Sequence, residues 1–168
     1  VGTNREDSTL TDIINDTSML IKGSTYVGGI AGQNAGRIVD TEVSRTLSDG
    51  VVEGVEYVGG IAGKNTGYIE NPHNNISLRI NKDALKDGKT AQYFGGVAGI
   101  NEKEGTIGNA TNLADVTAEG ATYVGGIVGY NKGTLLNLSG NRGNVVGDNY
   151  VGGVAGINEH SLTAIDAS

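Results

Sequence analysis

The chain has 168 residues, a formal net charge of −7, 29 glycines, one proline and no cysteine. The missing cysteines exclude disulfide bonds and thiolate chemistry, and the acidic balance argues against nucleic acid because it would repel a phosphate backbone. The glycines recur at fixed positions, which excludes collagen and argues against disorder. No run of 18 apolar residues occurs, so no membrane insertion is predicted.

The first segment, residues 1–25, predicts an incomplete coil that precedes the regular part of the chain. A short helix over Thr9–Asn15 is one interpretation of its apolar residues. The favoured interpretation places a strand at Ser18–Lys22, because Leu20–Tyr26 parallels Val51–Tyr57 in the next part of the chain.

A thirteen-residue pattern occurs five times and sets the organisation of the chain. Its copy at Tyr57–Ile69 reads Tyr-Val-Gly-Gly-Ile-Ala-Gly-Lys-Asn-Thr-Gly-Tyr-Ile, and successive copies begin 27 to 36 residues apart. A period of this length is the signature of a repeat architecture. The residues expected to carry the structure of the repeat are Tyr26, Gly28, Gly29, Asn34, Tyr57, Gly59, Gly60, Asn65, Tyr93, Gly95, Gly96, Asn101, Tyr123, Gly125, Gly126, Asn131, Tyr150, Gly152, Gly153 and Asn158.

Within the pattern, Val58 and Ile61 are three residues apart, so a plain strand would send them to opposite faces. We expect both to point inward, with a corner or bulge at Gly59-Gly60. Glycine suits that position because it adopts positive φ without strain and allows another backbone to approach closely. The alternative is a straight strand that is covered on both faces.

Two side chains of the pattern are expected to stack along the coils. The asparagines at 34, 65, 101, 131 and 158 predict a turn and a hydrogen-bonded ladder, with a row of polar ligands as the alternative. The tyrosines at 26, 57, 93, 123 and 150 predict an aromatic ladder. That ladder serves either as packing or as a stripe that binds sugar or protein.

The rest of each coil also predicts strands. One begins near Ile38, Ile69, Ile107 and Leu135, and another alternates through Val43, Arg45 and Leu47 or through Ile76, Leu78 and Ile80. No segment longer than ten residues has a helical period. Strands that recur once per coil lie parallel to their copies. The prediction is an all-β chain: one domain over residues 1–168, folded as a parallel β-helix (β-solenoid) of about five coils of roughly 30 residues, starting near residues 26, 57, 93, 123 and 150.

The second coil is the longest, and its extra residues lie in Asn71–Asn75 and Asn81–Lys89. Insertions in a solenoid form loops on one face. This insertion is therefore the candidate contact loop, and a solvated insertion without a partner is the alternative. The side chains expected to make the contact are His73, Asn74, Lys82, Lys86 and Lys89.

The repeated pattern resembles the GLUG repeat of bacterial surface and secreted proteins, over most of residues 20–160. Such repeats occur in adhesin-like proteins and in the immunoglobulin A1 proteases and related zinc metalloproteases of Gram-positive cocci. The resemblance implies an extracellular location, at the cell surface or secreted. It also implies partners in other domains of the same polypeptide and in host immunoglobulin A1 or another glycoprotein. Because Val1 begins in mid-pattern, we expect a segment of a longer protein.

No catalytic residue, metal ligand or cofactor is predicted in this segment. His73 and His160 are the only histidines, and no His-Glu-x-x-His sequence occurs. The Gly-Gly-x-x-Gly motif is followed by a predicted strand, whereas a phosphate-binding loop needs a helix there. The leading hypothesis is a non-catalytic module that positions the catalytic domain of a surface metalloprotease. The alternatives are a host-binding segment of an adhesin and a carbohydrate-active β-helix enzyme, which would place carboxylates along a groove.

Overall fold

The structure is a computed structural model that describes residues 1–16, 20–44, 50–86, 88, 90–137, 140–160 and 162–163. Within these residues the chain forms 27 short strands and no helix. Strands five places apart in chain order pair with each other, so that each coil adds one strand to each of five sheets. Neighbouring strands in every sheet run parallel. This confirms the predicted β-solenoid.

Two of the sheets carry the first nine residues of the repeated pattern, Tyr57–Asn65 in its second copy. Sheet 1 contains its first strand, at β5 (Thr25–Gly28), β10 (Glu56–Gly59), β15 (Gln92–Gly95), β20 (Thr122–Gly125) and β25 (Asn149–Gly152). Sheet 2 contains its second strand, at β6 (Ala31–Asn34), β11 (Ala62–Asn65), β16 (Ala98–Asn101), β21 (Val128–Asn131) and β26 (Ala155–Asn158), and begins with β1 (Thr3–Asn4).

Three further sheets complete the coil. Sheet 3 contains β2 (Thr9–Thr11), β7 (Arg37–Val39), β12 (Tyr68–Glu70), β17 (Thr106–Gly108), β22 (Thr134–Leu136) and β27 (Leu162–Thr163). Sheet 4 contains β3 (Ile14–Asp16), β8 (Glu42–Ser44), β13 (His73–Asn74), β18 (Thr111–Asn112) and β23 (Gly140–Asn141). Sheet 5 contains β4 (Leu20–Lys22), β9 (Val51–Gly54), β14 (Ser77–Ile80), β19 (Val116–Thr117) and β24 (Val145–Val146).

The N-terminal residues belong to the stack. Residues 9–16 form β2 and β3, so the interpretation of Thr9–Asn15 as a helix is wrong. A helix this short would be marginal alone, whereas each strand gains hydrogen bonds to the coil above it. The predicted strand near Lys22 is β4. Ser18 and Met19 of that prediction lie outside the described residues, as do Arg45 and Leu47 of another. The described residues contain no helix of the length and apolarity needed to cross a membrane.

The interior is narrow and is filled mainly by columns of aliphatic side chains. Val58 and Ile61 are both fully buried, so the prediction that both point inward is confirmed. The change of direction lies at Gly60 and Ile61, between β10 and β11. In the same coil, the side chains of Ile69 in sheet 3 and Leu78 in sheet 5 are also buried in the interior. These columns keep apolar surface away from water in the middle coils, whereas Val151 of the last coil is 45% exposed.

The close approach of neighbouring coils explains the paired glycines. The positive φ expected at these glycines occurs at the repeat tyrosines instead. Tyr57 has a φ of 54°, whereas neither Gly59 nor Gly60 is left-handed. A Cβ atom at Gly60 would lie 2.2 Å from the carbonyl oxygen of Gly96, in the next coil. All five repeat tyrosines share the left-handed backbone. Such a backbone costs a non-glycine residue about 1 to 2 kcal/mol and persists only where the surroundings enforce it.

Two columns of asparagine run through the interior. In the first, each Nδ2 donates to the next Oδ1 over 2.7 to 2.8 Å, through Asn4, Asn34, Asn65, Asn101, Asn131 and Asn158. This is the ladder predicted from the sequence, extended by Asn4. The second column, Asn74, Asn112 and Asn141, has bonds of 2.7 Å and was not predicted. Amides inside each column have partners in the coils above and below, so these buried polar groups are satisfied.

Candidate functional site

The repeat tyrosines form one continuous column along the side of the stack. Neighbouring ring centroids are 4.8 to 5.1 Å apart and the ring planes differ by 5° to 18°, through Tyr26, Tyr57, Tyr93, Tyr123 and Tyr150. Tyr130 of β21 adds a nearly parallel ring 5.5 Å from Tyr123. The predicted aromatic ladder is therefore present.

Stacking limits what the tyrosine column can bind. The ring faces of Tyr57, Tyr93 and Tyr123 are covered by their neighbours above and below, and these rings are only partly exposed. A sugar ring packs on an aromatic face, so these rings offer it only their edges. Burial, and then the adjacent tyrosines, raise the pKa of Tyr57 and of Tyr93. The geometry favours packing over a sugar-binding stripe.

The residues predicted to form one contact loop lie in two separate places. His73 and Asn74 form β13 in sheet 4, whereas Lys82 and Lys86 follow β14 of sheet 5. His73 is exposed, but Asn74 is fully buried in the second asparagine column, so its side chain is not available to a partner. Lys89 lies outside the described residues. Contact by the exposed lysines stays a prediction.

The first part of the insertion between β14 and β15, residues 81–86, lies against the stack. In the preceding coil a single residue, Val55, joins β9 to β10. Asn81 is only 4% exposed and anchors the insertion, because its Nδ2 donates to the carbonyl of Gly23 over 2.7 Å. Its backbone N–H donates to the carbonyl of Gly54 over 2.8 Å. The insertion is therefore held by two coils below it.

The insertion lines one part of a cavity of about 500 Å³, which we name the insertion groove. Its floor is a row of outward-facing side chains from successive strands of sheet 5, paired in register: Lys22, Glu53, Arg79 and Thr117. The insertion contributes Lys82 and Asp83, and the remaining lining residues are Ile80 and Glu119. Inward-facing residues of the same strands, such as Leu78, hold the row in place from the core.

The charges in the insertion groove are only partly paired. Lys22 bonds the carboxylate of Asp83 and lies 3.7 Å from that of Glu53. The bond to Asp83 raises the pKa of Lys22, and the same bond lowers the pKa of Asp83. A glycosidase acid needs the opposite direction. Within the part of the chain that the structure describes, Arg79 and Lys82 make no ion pair.

Another, smaller cavity of about 210 Å³ lies beside sheet 4, and its lining includes the acidic side chains of Asp12, Asp40 and Glu42. Asn71 donates to Asp40 across this surface over 2.8 Å. Among the described residues, no group of three or more histidine, aspartate or glutamate side chains is placed to hold a metal ion.

The floor of the insertion groove was missed from the sequence. Lys22, Glu53, Arg79 and Thr117 are separated by 26 to 38 residues along the chain and belong to different residue types. Only the strand register brings them into one row. The usable signal was their shared position, each directly after an apolar residue of the sheet 5 strand: Ile21, Val52, Leu78 and Val116.

Comparisons with protein-family models, with curated proteins and with solved structures gave no match. The likeness to GLUG repeats therefore rests on the repeated pattern in the sequence.

Proposed function

We propose that this chain is a non-catalytic interaction module of a bacterial surface protein. In this role the solenoid spaces or positions a neighbouring domain and contacts a partner through the insertion groove. The insertion groove is the observation that carries the proposal. It is the place where the regular repeat is interrupted, and buried Asn81 holds the interrupting segment against the stack.

The construction of the stack supports a spacing role. Each coil contacts mainly its neighbours, so the length of a solenoid follows from the number of its coils. Two internal asparagine columns and the tyrosine column tie each coil to the next one. Buried, fully satisfied polar ladders resist sliding of one coil over another, because a shift would leave amides without partners.

The repeated pattern supports a particular parent protein. Because it resembles the GLUG repeat, we propose an extracellular, immunoglobulin A1 protease-like zinc metalloprotease as the parent. Host immunoglobulin A1 or another glycoprotein would then be the partner. The reading frame that encodes this segment should also encode His-Glu-x-x-His in a separate domain. A complete reading frame without a metalloprotease motif would overturn this parent and favour an adhesin.

Direct contact is tested by adding immunoglobulin A1 to the isotope-labelled chain and recording amide shifts. We expect the changes to cluster around Arg79, Lys82 and Thr117, which line the insertion groove. Lys82→Glu should weaken binding by reversing an exposed charge there, and Lys103→Glu is the matched control at an exposed turn outside the groove. An unchanged spectrum at a high concentration of immunoglobulin A1 would refute direct binding by this module.

A further inference from the structure

We propose that the insertion groove binds a carboxylated sugar, with the guanidinium of Arg79 as the anchor of the carboxylate. This inference rests on the proposed function, since it names the ligand class of the same site. Its evidence is the row of side chains on sheet 5 and the ion pairs that these side chains already make.

Arg79 lies near the centre of the row. Parallel strands are about 4.8 Å apart, so neighbouring side chains of the row lie within reach of one another. Lys22 is already held by Asp83 and by Glu53. Arg79 is the next position after Glu53, and Thr117 is its neighbour on the other side. Its guanidinium is exposed and makes no ion pair with any described residue.

The chemistry of Arg79 selects a carboxylate. Its guanidinium presents donors in a planar fork that matches the two oxygens of a carboxylate. Lys82, which is also without an ion pair among the described residues, supplies a second positive charge in the same groove. An anionic group is therefore favoured at this point of the surface.

The other lining residues favour a sugar over a simple anion. The carboxylate of Glu119 accepts hydrogen bonds, and the hydroxyl of Thr117 can accept or donate them, so both suit sugar hydroxyl groups. Ile80 offers an apolar contact for ring carbons. A multiply charged anion such as phosphate would meet repulsion from Glu119 and Asp83. A ligand with one carboxylate and several hydroxyl groups can pair with the cations Arg79 and Lys82 and can also hydrogen-bond Thr117 and Glu119.

The test is an amide-shift titration of the isotope-labelled chain with glucuronic acid and with N-acetylneuraminic acid. Glucose is the neutral control sugar and acetate is the control carboxylate, each added up to about 10 mM, where weak ligands of this size are detected. We expect shifts at residues 79, 82 and 117 with an acidic sugar and at least about tenfold weaker responses to both controls. R79Q should weaken the acidic sugar at least about tenfold. R142Q, at an exposed arginine outside the groove, should leave it unchanged.

Two outcomes would overturn the inference: responses to the acidic sugars no stronger than to glucose, or equal affinity in R79Q and the parent chain. Unfolding curves for both arginine variants should match the parent, since both side chains are exposed, and this excludes misfolding as the cause of a loss. Binding of immunoglobulin A1 without any response to an acidic sugar would overturn the ligand class alone. No response to either would overturn the proposed contact as well.

Discussion

Replacement of Gly60 by alanine tests the close packing of neighbouring coils. A Cβ atom there would lie 2.2 Å from the carbonyl oxygen of Gly96 and 2.3 Å from Cγ of Asn74. Neither atom can move freely, because one belongs to the backbone of the next coil and the other to a fully buried side chain of the second asparagine column. The coils must therefore separate locally by about 1 Å to reach ordinary van der Waals contact.

The expected cost of Gly60→Ala follows from two contributions. Overpacking of a well-packed interior costs about 1 to 3 kcal/mol. Separation of the coils also stretches the backbone bonds from Gly60 N–H to Gly96 and from Ile61 N–H to Val97, which are now 3.1 and 3.0 Å long. Each such bond contributes about 1 kcal/mol. We therefore expect a loss of about 3 to 5 kcal/mol in the free energy of unfolding.

The chain contains its own control for this substitution. Gly153 occupies the same position of the repeat in the last copy, but a Cβ atom there would meet no atom within 4 Å. Gly153→Ala should change stability by less than about 0.5 kcal/mol. Urea unfolding followed by circular dichroism measures both variants. Equal losses, or a loss below about 1 kcal/mol for Gly60→Ala, would refute the assignment of Gly60 to a close approach between coils.

Three further predictions concern polar groups of the stack. Asn65→Ala should cost about 3 kcal/mol, because it removes two buried ladder bonds and leaves an acceptor without its donor. Asn158→Ala, at the exposed end of the same column, should cost less than about 1 kcal/mol, and equal losses in urea unfolding would contradict the ladder's role. Thr41→Val should stabilise by about 1 kcal/mol in thermal unfolding, since the buried Thr41 hydroxyl has no hydrogen-bond partner among the described residues; a destabilised variant would oppose this explanation. The bond from Tyr130 to Glu159 raises the pKa of Tyr130 from 10.0 to about 12. Its stabilisation is therefore present below pH 10 and is lost as the pH rises toward 12. An ultraviolet titration of the parent chain should include a phenol that titrates near pH 12, and Glu159→Gln should move that phenol toward 10.0. A titration that Glu159→Gln leaves unaltered would speak against the bond.

The fold was predictable because each copy of the pattern must satisfy the copy above and below it. Asn65 can be assigned to a ladder from its spacing alone, since identical amides in register bond one another. The burial of Val58 and Ile61 follows from their apolar character in every copy. Repetition made these positions visible five times, which compensates for the short length of each strand.

Other features gave no comparable signal. Tyrosine rarely adopts a left-handed backbone, so its φ of 54° at Tyr57 could not be read from the residue type. Asn74, Asn112 and Asn141 lie 38 and 29 residues apart in the part of the coil that varies, and their column became visible only from the register. The same irregular spacing led to the placement of Asn74 in a contact loop.

The sequence by itself determined that the chain is a β-solenoid. It also determined where the repeat is interrupted and which of its side chains stack on their copies in neighbouring coils. These properties depend on the spacing of the repeated residues along the chain, which can be read directly from the sequence. Only the tertiary structure decided that the interruption folds back through Asn81 and that Arg79 stands in one row with Lys22, Glu53 and Thr117. The physical reason is that residues of different coils become neighbours through strand register, at about 4.8 Å, and not through their distance in sequence.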